Sequence, residues 1–275
     1  MNISNQLILK LDNLKEWFEN RKGSIVAFSG GIDSALVLFL ARKFQGKDSA
    51  IGVISNSESL KSKDFDEAKA FCKQFDIVLE VIKTNELNDE RYNSNPIDRC
   101  FYCKEHLFSD LSAMKTKYAG FDVLSGTNFD DLGDYRPGMN AAQKYEVLAP
   151  LVDCKLNKAE LRQLAQYFGL PNWDKPSSPC LSSRIPYNQS VTNEKLRQIE
   201  TAENLLNEMG FNDVRLRHYG THAKIEVLPN EVARLQDVQD QVIPQILALG
   251  FEKCEIDPEG LVSGKLNRVL KKDQK

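Results

Sequence analysis

Residues Ser24 to Ser34 commit the chain to one kind of local fold. Ser24-Ile25-Val26-Ala27-Phe28 is a short run of strand formers, Ser29-Gly30-Gly31 a tight turn, and Ile32-Asp33-Ser34 opens an apolar stretch, Ala35 to Lys43, that reads as a buried helix. A strand turning through glycines into a helix leaves the first helical N–H groups unsatisfied and aims them at one point, where the helix dipole favours an anion. Gly30 and Gly31 let the backbone approach a phosphate without Cβ interference, and Ser29 and Ser34 add hydroxyl groups. Asp33 would repel such a ligand unless a magnesium ion lay between them, so its place beside the glycines implies Mg²⁺ bridging phosphate oxygens. The plainer reading, an ordinary turn in which Asp33 stabilises the helix start, suits a lone Gly-Gly better than all six residues. No Gly-Lys-Ser/Thr follows and the spacing is not Gly-x-Gly-x-x-Gly, so the loop is neither a Walker A loop nor a dinucleotide fingerprint.

Around this loop, strands and helices alternate. Gln6 to Asn20 has apolar residues at helical spacing (Leu7, Leu11, Leu14, Trp17, Phe18), and the helix after the loop runs to about Phe44. Ala50–Ile54 reads as a second strand ending at Ser55-Asn56-Ser57, Lys63–Phe75 as a helix, Ile77–Ile82 as a third strand, and Asp122–Ser125 as a fourth, running into Gly126-Thr127-Asn128. A further helix, Leu156–Phe168, ends at Gly169 and Pro171. This alternation predicts a parallel sheet with its ligand at the carboxyl ends of the strands. Lys175 to Tyr187 is rich in Pro and Ser and reads as a linker. Beyond it the order is helix (193–209), two short strands (214–218 and 223–227), helix (231–249) and strand (251–256), a small α+β domain. The predicted division is therefore residues 1–175 and 176–275, with the basic tail from Lys265 a solvated end.

Composition narrows the setting. A 275-residue chain with 41% hydrophobic and 27% charged residues can bury a large domain and a smaller one. Its net charge of −3 gives no general nucleic-acid footprint. Neither a signal peptide at Met1-Asn2-Ile3-Ser4-Asn5 nor an apolar run long enough for a bilayer is visible, so a cytoplasmic location with no membrane partner is expected. There the six cysteines are metal ligands, nucleophiles or core residues rather than disulfides.

Cys100 and Cys103 stand three residues apart at the start of a predicted helix, on one face, and Cys180 sits in the linker before Ser182-Ser183-Arg184. Cys72, Cys154 and Cys254 have plainer surroundings and read as small buried hydrophobes. Three thiolates are one short of a structural zinc site but could bind three irons of a [4Fe–4S] cluster, leaving the fourth open. By spacing alone, a redox pair, a zinc site completed by His106 and an accidental pair stay open.

Ser29–Ser34 resembles the Ser-Gly-Gly-x-Asp-Ser signature of the PP-loop ATP pyrophosphatases, which cleave ATP between the α- and β-phosphates and adenylate a substrate oxygen. That implies an α/β fold, a PP-loop (adenine nucleotide alpha hydrolase-like) parallel sheet followed by the smaller α+β domain. Asp134-Tyr135-Arg136-Pro137-Gly138 and Ser182-Ser183-Arg184-Ile185-Pro186-Tyr187 are more specific and, with Asn56-Ser57, Glu203 and Arg215-x-Arg217, look like the LarE sulfur transferases over nearly the whole chain. The resemblance implies adenylation of a carboxylate of a pyridinium mononucleotide, the precursor of the nickel-pincer nucleotide, and displacement of AMP by sulfur to give a thiocarboxylate. In one LarE kind a single cysteine gives up its own sulfur. In the other, three cysteines bind a [4Fe–4S] cluster that carries it. The sacrificial cysteine stands where this chain has Pro179, while Cys100, Cys103 and Cys180 match the cluster kind.

The expected site follows from this. ATP and Mg²⁺ meet Ser29, Gly30, Gly31, Asp33, Ser34, Ser55 and Gly126. Lys104, Arg184 and Glu203 act with Cys180 and Asp33 at the transferring centre, and Arg215 and Arg217, alternating on one strand face, clamp the substrate phosphate or meet solvent. Asp134 and Arg136 are expected to hold a turn. A sulfide donor and a homo-oligomer complete the expectation. The rivals are a PP-loop thiolase acting on tRNA, an amide-forming ligase, and a nucleotide-binding iron–sulfur sensor without turnover.

Overall fold

The computed structural model describes residues 3–133, 137–262 and 264–269, so Asp134 to Arg136 and the end of the basic tail lie outside the described residues. The chain divides into two units: residues 1–86 with 98–178, and residues 87–97 with 179–275. No helix among the described residues is long and apolar enough to cross a membrane.

In the first unit, α1 (Asn5–Glu19), β1 (Ser24–Ala27), α2 (Ile32–Gln45), β2 (Ala50–Ser55), α3 (Ser62–Gln74) and β3 (Val78–Ile82) alternate as the apolar spacing predicts. They are followed by α4 (Arg99–Ala113), β4 (Asp122–Leu124), α5 (Pro137–Lys144) and α6 (Lys158–Tyr167). The strands are all parallel in the order β3-β2-β1-β4, with Ser24 level with Ala50 on one side and Asp122 on the other. Both faces are covered, which is why the strands read as continuous apolar runs. Val26, Phe28, Ile54 and Leu124 pack with Phe18, Leu36, Phe71 and Leu164 on one face. Ile25, Ala27, Ile51, Val53 and Val123 pack with Phe108, Leu111 and Ala141 on the other. Because β1 connects to β2 on one side and meets β4 on the other, the winding reverses between β1 and β4, the place where such sheets open a crevice.

The second unit carries α7 (Asn193–Glu208), β5 (Val214–Tyr219), β6 (His222–Val227), α8 (Val232–Asp237), α9 (Gln239–Leu247) and β7 (Lys253–Ile256). Its sheet runs β5-β6-β7, antiparallel and then parallel. The single helix expected over 231–249 is in fact two. Val238 leaves helical backbone at φ −109° and ψ 9°, and Pro244 within α9 has no N–H to give to the Asp240 carbonyl. Residues 87–97, an excursion with no signal in the sequence, fasten the Ser182–Pro186 segment. Tyr92 Oη lies 2.7 Å from Ser182 Oγ, and Asn95 Nδ2 donates to the carbonyl oxygens of Pro186 (2.7 Å) and Ile185 (3.2 Å). Asn95 takes φ 59°, a left-handed backbone that asparagine tolerates.

His218 is enclosed between α7 and Phe251, its Nε2 2.9 Å from Gln198 Oε1 and its ring edge-on to Phe251 at 5.0 Å. Burial, and then the charge of Lys195, lowers its pKa from 6.5 to about 4. Between these values the unfolded chain takes a proton that the folded one refuses, so stability is full above pH 6.5 and is lost as pH falls toward 4. Thermal melts should show a lower midpoint at pH 5 than at pH 7.5, with the difference reduced in His218→Gln.

Candidate active site

The glycine loop is built by its own serines. Gly30 sits at φ 74°, and a Cβ there would stand 3.3 Å from the Asp64 carbonyl oxygen. Ser34 Oγ accepts from the Ser29 N–H and donates to the Gly31 carbonyl, both at 3.1 Å, and lies 3.1 Å from Ser29 Oγ. These hydroxyls therefore shape the turn. Gly31 caps α2 with no side-chain hydrogen bond, so no capping side chain covers the first N–H groups of the helix.

Gly126 closes the other wall. It follows β4 and lies so near α2 that a Cβ would stand 2.5 Å from the Ser34 nitrogen, which makes glycine obligatory there. Ser55, at the end of β2, bonds Thr84 Oγ1 at 2.5 Å. Asp33 is held by two residues that the sequence reading missed. Its Oδ1 accepts from Asn128 Nδ2 at 3.0 Å, and its Oδ2 from Lys158 Nζ at 2.5 Å. Lys158 opens α6, where Asn157 and Glu160 form a reciprocal capping box and Asp130 accepts the Lys158 N–H. The Asn157-x-x-Glu160 spacing is a readable helix-start signal, and it places the lysine at the first helical position. Asp33 thus already pairs with a cation, and magnesium bound there would share or displace the Lys158 ammonium.

The loop opens into a cavity of about 440 Å³ whose lining includes Ser29, Asp33, Ser34, Gly126, Cys100 and Lys104. Cys100 and Lys104 are one turn apart on α4, so both reach the same wall. Gly138 of α5 lets this happen, since a Cβ there would stand 3.0 Å from Lys104 Cγ. Cys103 is half-buried on the same helix.

Cys180, Arg184, Glu203, Arg215 and Arg217 belong to the second unit. Arg184 is 1% exposed and pairs with Glu203 through two bonds, Nε at 2.7 Å and Nη2 at 3.0 Å. Its Nη1 donates to the carbonyl oxygens of Pro179 (2.7 Å) and Cys180 (3.2 Å) and to Ser183 Oγ. Glu203 also accepts the Leu216 N–H. This pair holds the backbone that carries Cys180.

The two strand arginines differ. Arg217 is buried, bonds Glu226 at 2.9 Å and donates to the Ser183 carbonyl at 2.9 Å. Arg215 is half-buried and has no hydrogen-bonded or ion-paired partner among the described residues. Burial, then the charges of Arg184 and Arg217, lowers its pKa against the opposing pull of Glu226 and Glu203. A neighbourhood that disfavours its charge is one that an incoming anion would relieve.

Of the remaining thiols, Cys72 is buried in the core and Cys154 and Cys254 are half-buried. Burial pushes Cys72 up to about 12, and Cys154 and Cys254 up to about 11, so they stay protonated and unreactive. Among the described residues no three His, Cys, Asp or Glu side chains are gathered as a metal site.

The NAD synthase family profile matches residues 9–96. An uncharacterised protein of Synechocystis sp. is 39% identical over 96% of this chain and 98% of its own length. Pyridinium-3,5-bisthiocarboxylic acid mononucleotide synthase of Lactiplantibacillus plantarum is 34% identical over 90% of each chain. An uncharacterised protein of Methanocaldococcus jannaschii is 29% identical over 92% of this chain and 96% of its own.

Proposed function

The chain belongs to the LarE family of ATP-dependent sulfur transferases, in the PP-loop superfamily, and from that premise we propose that it adenylates a carboxylate of a pyridinium mononucleotide and replaces AMP with sulfur. The observation that carries this reading is that Cys100 and Lys104 line the same cavity as Ser29, Asp33 and Ser34. A sulfur-handling residue and a pyrophosphate loop in one cavity suit a reaction in which an acyl adenylate meets a sulfur nucleophile before water does.

The chain's own groups divide the work. Helix α2 offers the N–H groups of its first turn to the phosphates, Asp33 would hold the metal, and Lys158 and Lys104 add cations where charge develops as pyrophosphate leaves. Magnesium, when bound, neutralises phosphate charge. A carboxylate oxygen attacks the α-phosphorus and pyrophosphate departs. A sulfur nucleophile then adds at the carbonyl carbon, a C–S bond forms, and the C–O bond to AMP breaks.

For the sulfur source the reading is a [4Fe–4S] cluster held by Cys100, Cys103 and Cys180, supplied with sulfide. The donor chemistry fits: three thiols outside the hydrophobic cores, against three others kept protonated by burial. When bound, the cluster supplies an open iron that can carry sulfide.

The test is a product assay with ATP, Mg²⁺, the pyridinium mononucleotide carboxylate and sulfide. AMP and pyrophosphate support the reading, and ADP with orthophosphate as the only nucleotide-derived products overturns it. The arginines give a second check. Arg215→Ala should weaken mononucleotide binding at least about tenfold, with ATP affinity and thermal midpoint nearly unchanged, as expected on losing a charge-assisted phosphate contact. Arg217→Ala instead leaves the buried Glu226 carboxylate with Lys265, 3.5 Å away, as its remaining ion-pair partner and should destabilise the second unit by about 1–3 kcal/mol, read by denaturant unfolding.

A further inference from the structure

Outside the cavity, one carboxylate ties together three separated stretches of the first unit. Asp64 lies in the first turn of α3 and is 9% exposed. Its Oδ1 accepts from Lys175 Nζ at 2.8 Å and its Oδ2 from Ser178 Oγ at 2.8 Å. Glu67, on the same helix, takes the same ammonium at 2.6 Å. The Asp64 main-chain carbonyl backs Gly30. From the same linker, Asn172 Nδ2 donates to the Gly30 carbonyl at 3.2 Å, while its Oδ1 is buried without a partner among the described residues. Residues 172–178 are thus fastened at one end to the pyrophosphate loop and at the other to α3. Cys180 follows Ser178 by two residues, a length of chain that spans no more than about 7 Å.

A free surface ion pair would carry little meaning. This one is different, since both Asp64 oxygens are bonded and both bonds reach the segment leading to a cysteine of the sulfur chemistry. We propose that Asp64 is a positioning residue for sulfur transfer: by anchoring Lys175 and Ser178 it ties the chain that enters Cys180 to the pyrophosphate loop. The inference rests on the sulfur-transfer reading above. When the sulfur nucleophile reaches the acyl adenylate, a C–S bond forms and AMP leaves. When water arrives first, the carboxylate returns with AMP, and pyrophosphate has been released without product. Asp64 therefore sets the ratio of thiocarboxylate to pyrophosphate and leaves adenylation alone.

The test uses Lys175→Met with Ser178→Ala, which releases the linker and leaves Asp64 at its helix start. Pyrophosphate release should stay within about twofold of the parent while thiocarboxylate per pyrophosphate falls about tenfold or more, the scale of a misplaced reacting group. Protease should also cut residues 175–179 faster than in the parent. Asp64→Asn, which keeps the shape but not the charge, should give an intermediate ratio. An unchanged ratio overturns the proposal, as does a parallel fall of both products matching a lowered thermal midpoint. Should the double variant not fold, Ser178→Ala alone carries the same comparison. A parent that releases no pyrophosphate overturns the adenylation reading itself, a result distinct from an unchanged ratio.

Discussion

Asp33→Asn should lower pyrophosphate release by about 10²–10³-fold, the usual cost of removing one preorganised electrostatic group from a transition state. The substitution is nearly isosteric, and because both partners of Asp33 are donors, Asn128 Nδ2 at 3.0 Å from one oxygen and Lys158 Nζ at 2.5 Å from the other, the new amide keeps one of these two bonds. What disappears is the negative charge that would hold magnesium against the phosphates. Asp33 and Lys158 are both partly exposed, so their pairing contributes about 0–1 kcal/mol and the thermal midpoint should barely move. A steady-state assay over a magnesium titration separates the outcomes. Activity within a few-fold of the parent at every magnesium concentration would reassign Asp33 to stabilising the start of α2.

Replacing Cys100, Cys103 or Cys180 singly with Ala should each remove iron and sulfur-transfer activity together. A three-thiolate site loses its cluster when any ligand is lost, so the parent purified anaerobically should be brown, with about four irons, and each variant colourless. The parent's polypeptide mass should be unchanged after turnover, with more than one turnover when sulfide is supplied. A sacrificial mechanism gives the opposite pattern. Cys100→Ala would stay active, and the used parent would be lighter by one hydrogen sulfide, with dehydroalanine at position 180. Pyrophosphate release should survive in Cys180→Ala, because the glycine loop does not depend on where the sulfur comes from. Cys72→Ala is the control. Its thiol, pushed up to about 12 by burial, packs in the core, so the variant should lose stability and keep its iron.

The period of the apolar residues was enough to place nearly every long element, because burial on both faces of a parallel sheet leaves a continuous apolar run that few alternatives mimic. The helix expected from 231 to 249 failed because two short helices at nearly one spacing look alike until Val238 turns out of helical backbone. The glycine loop was legible because its chemistry lies within six consecutive residues. Its supports, Asn128 and Lys158, were not, since they reach Asp33 from 95 and 125 residues away. Excursion 87–97 was invisible for the same reason: Tyr92 and Asn95 act through bonds to residues about 90 positions on.

By itself, then, the sequence determined the strand–loop–helix at the glycine loop and the chain order of the sheet-forming segments. These are short-range properties, set by backbone sterics and side-chain period. Tertiary structure alone decided that Cys100 and Lys104 face the pyrophosphate loop and that Arg184 is spent on Glu203 and the Cys180 backbone. It also decided that Arg215 and Arg217, neighbours on one strand face, have different work. Strand alternation puts both on the same side. Glu226 stands directly across from Arg215 in the register yet bonds Arg217, which neutralises that guanidinium and leaves Arg215 unbonded among the described residues, beside the charges of Arg184 and Arg217.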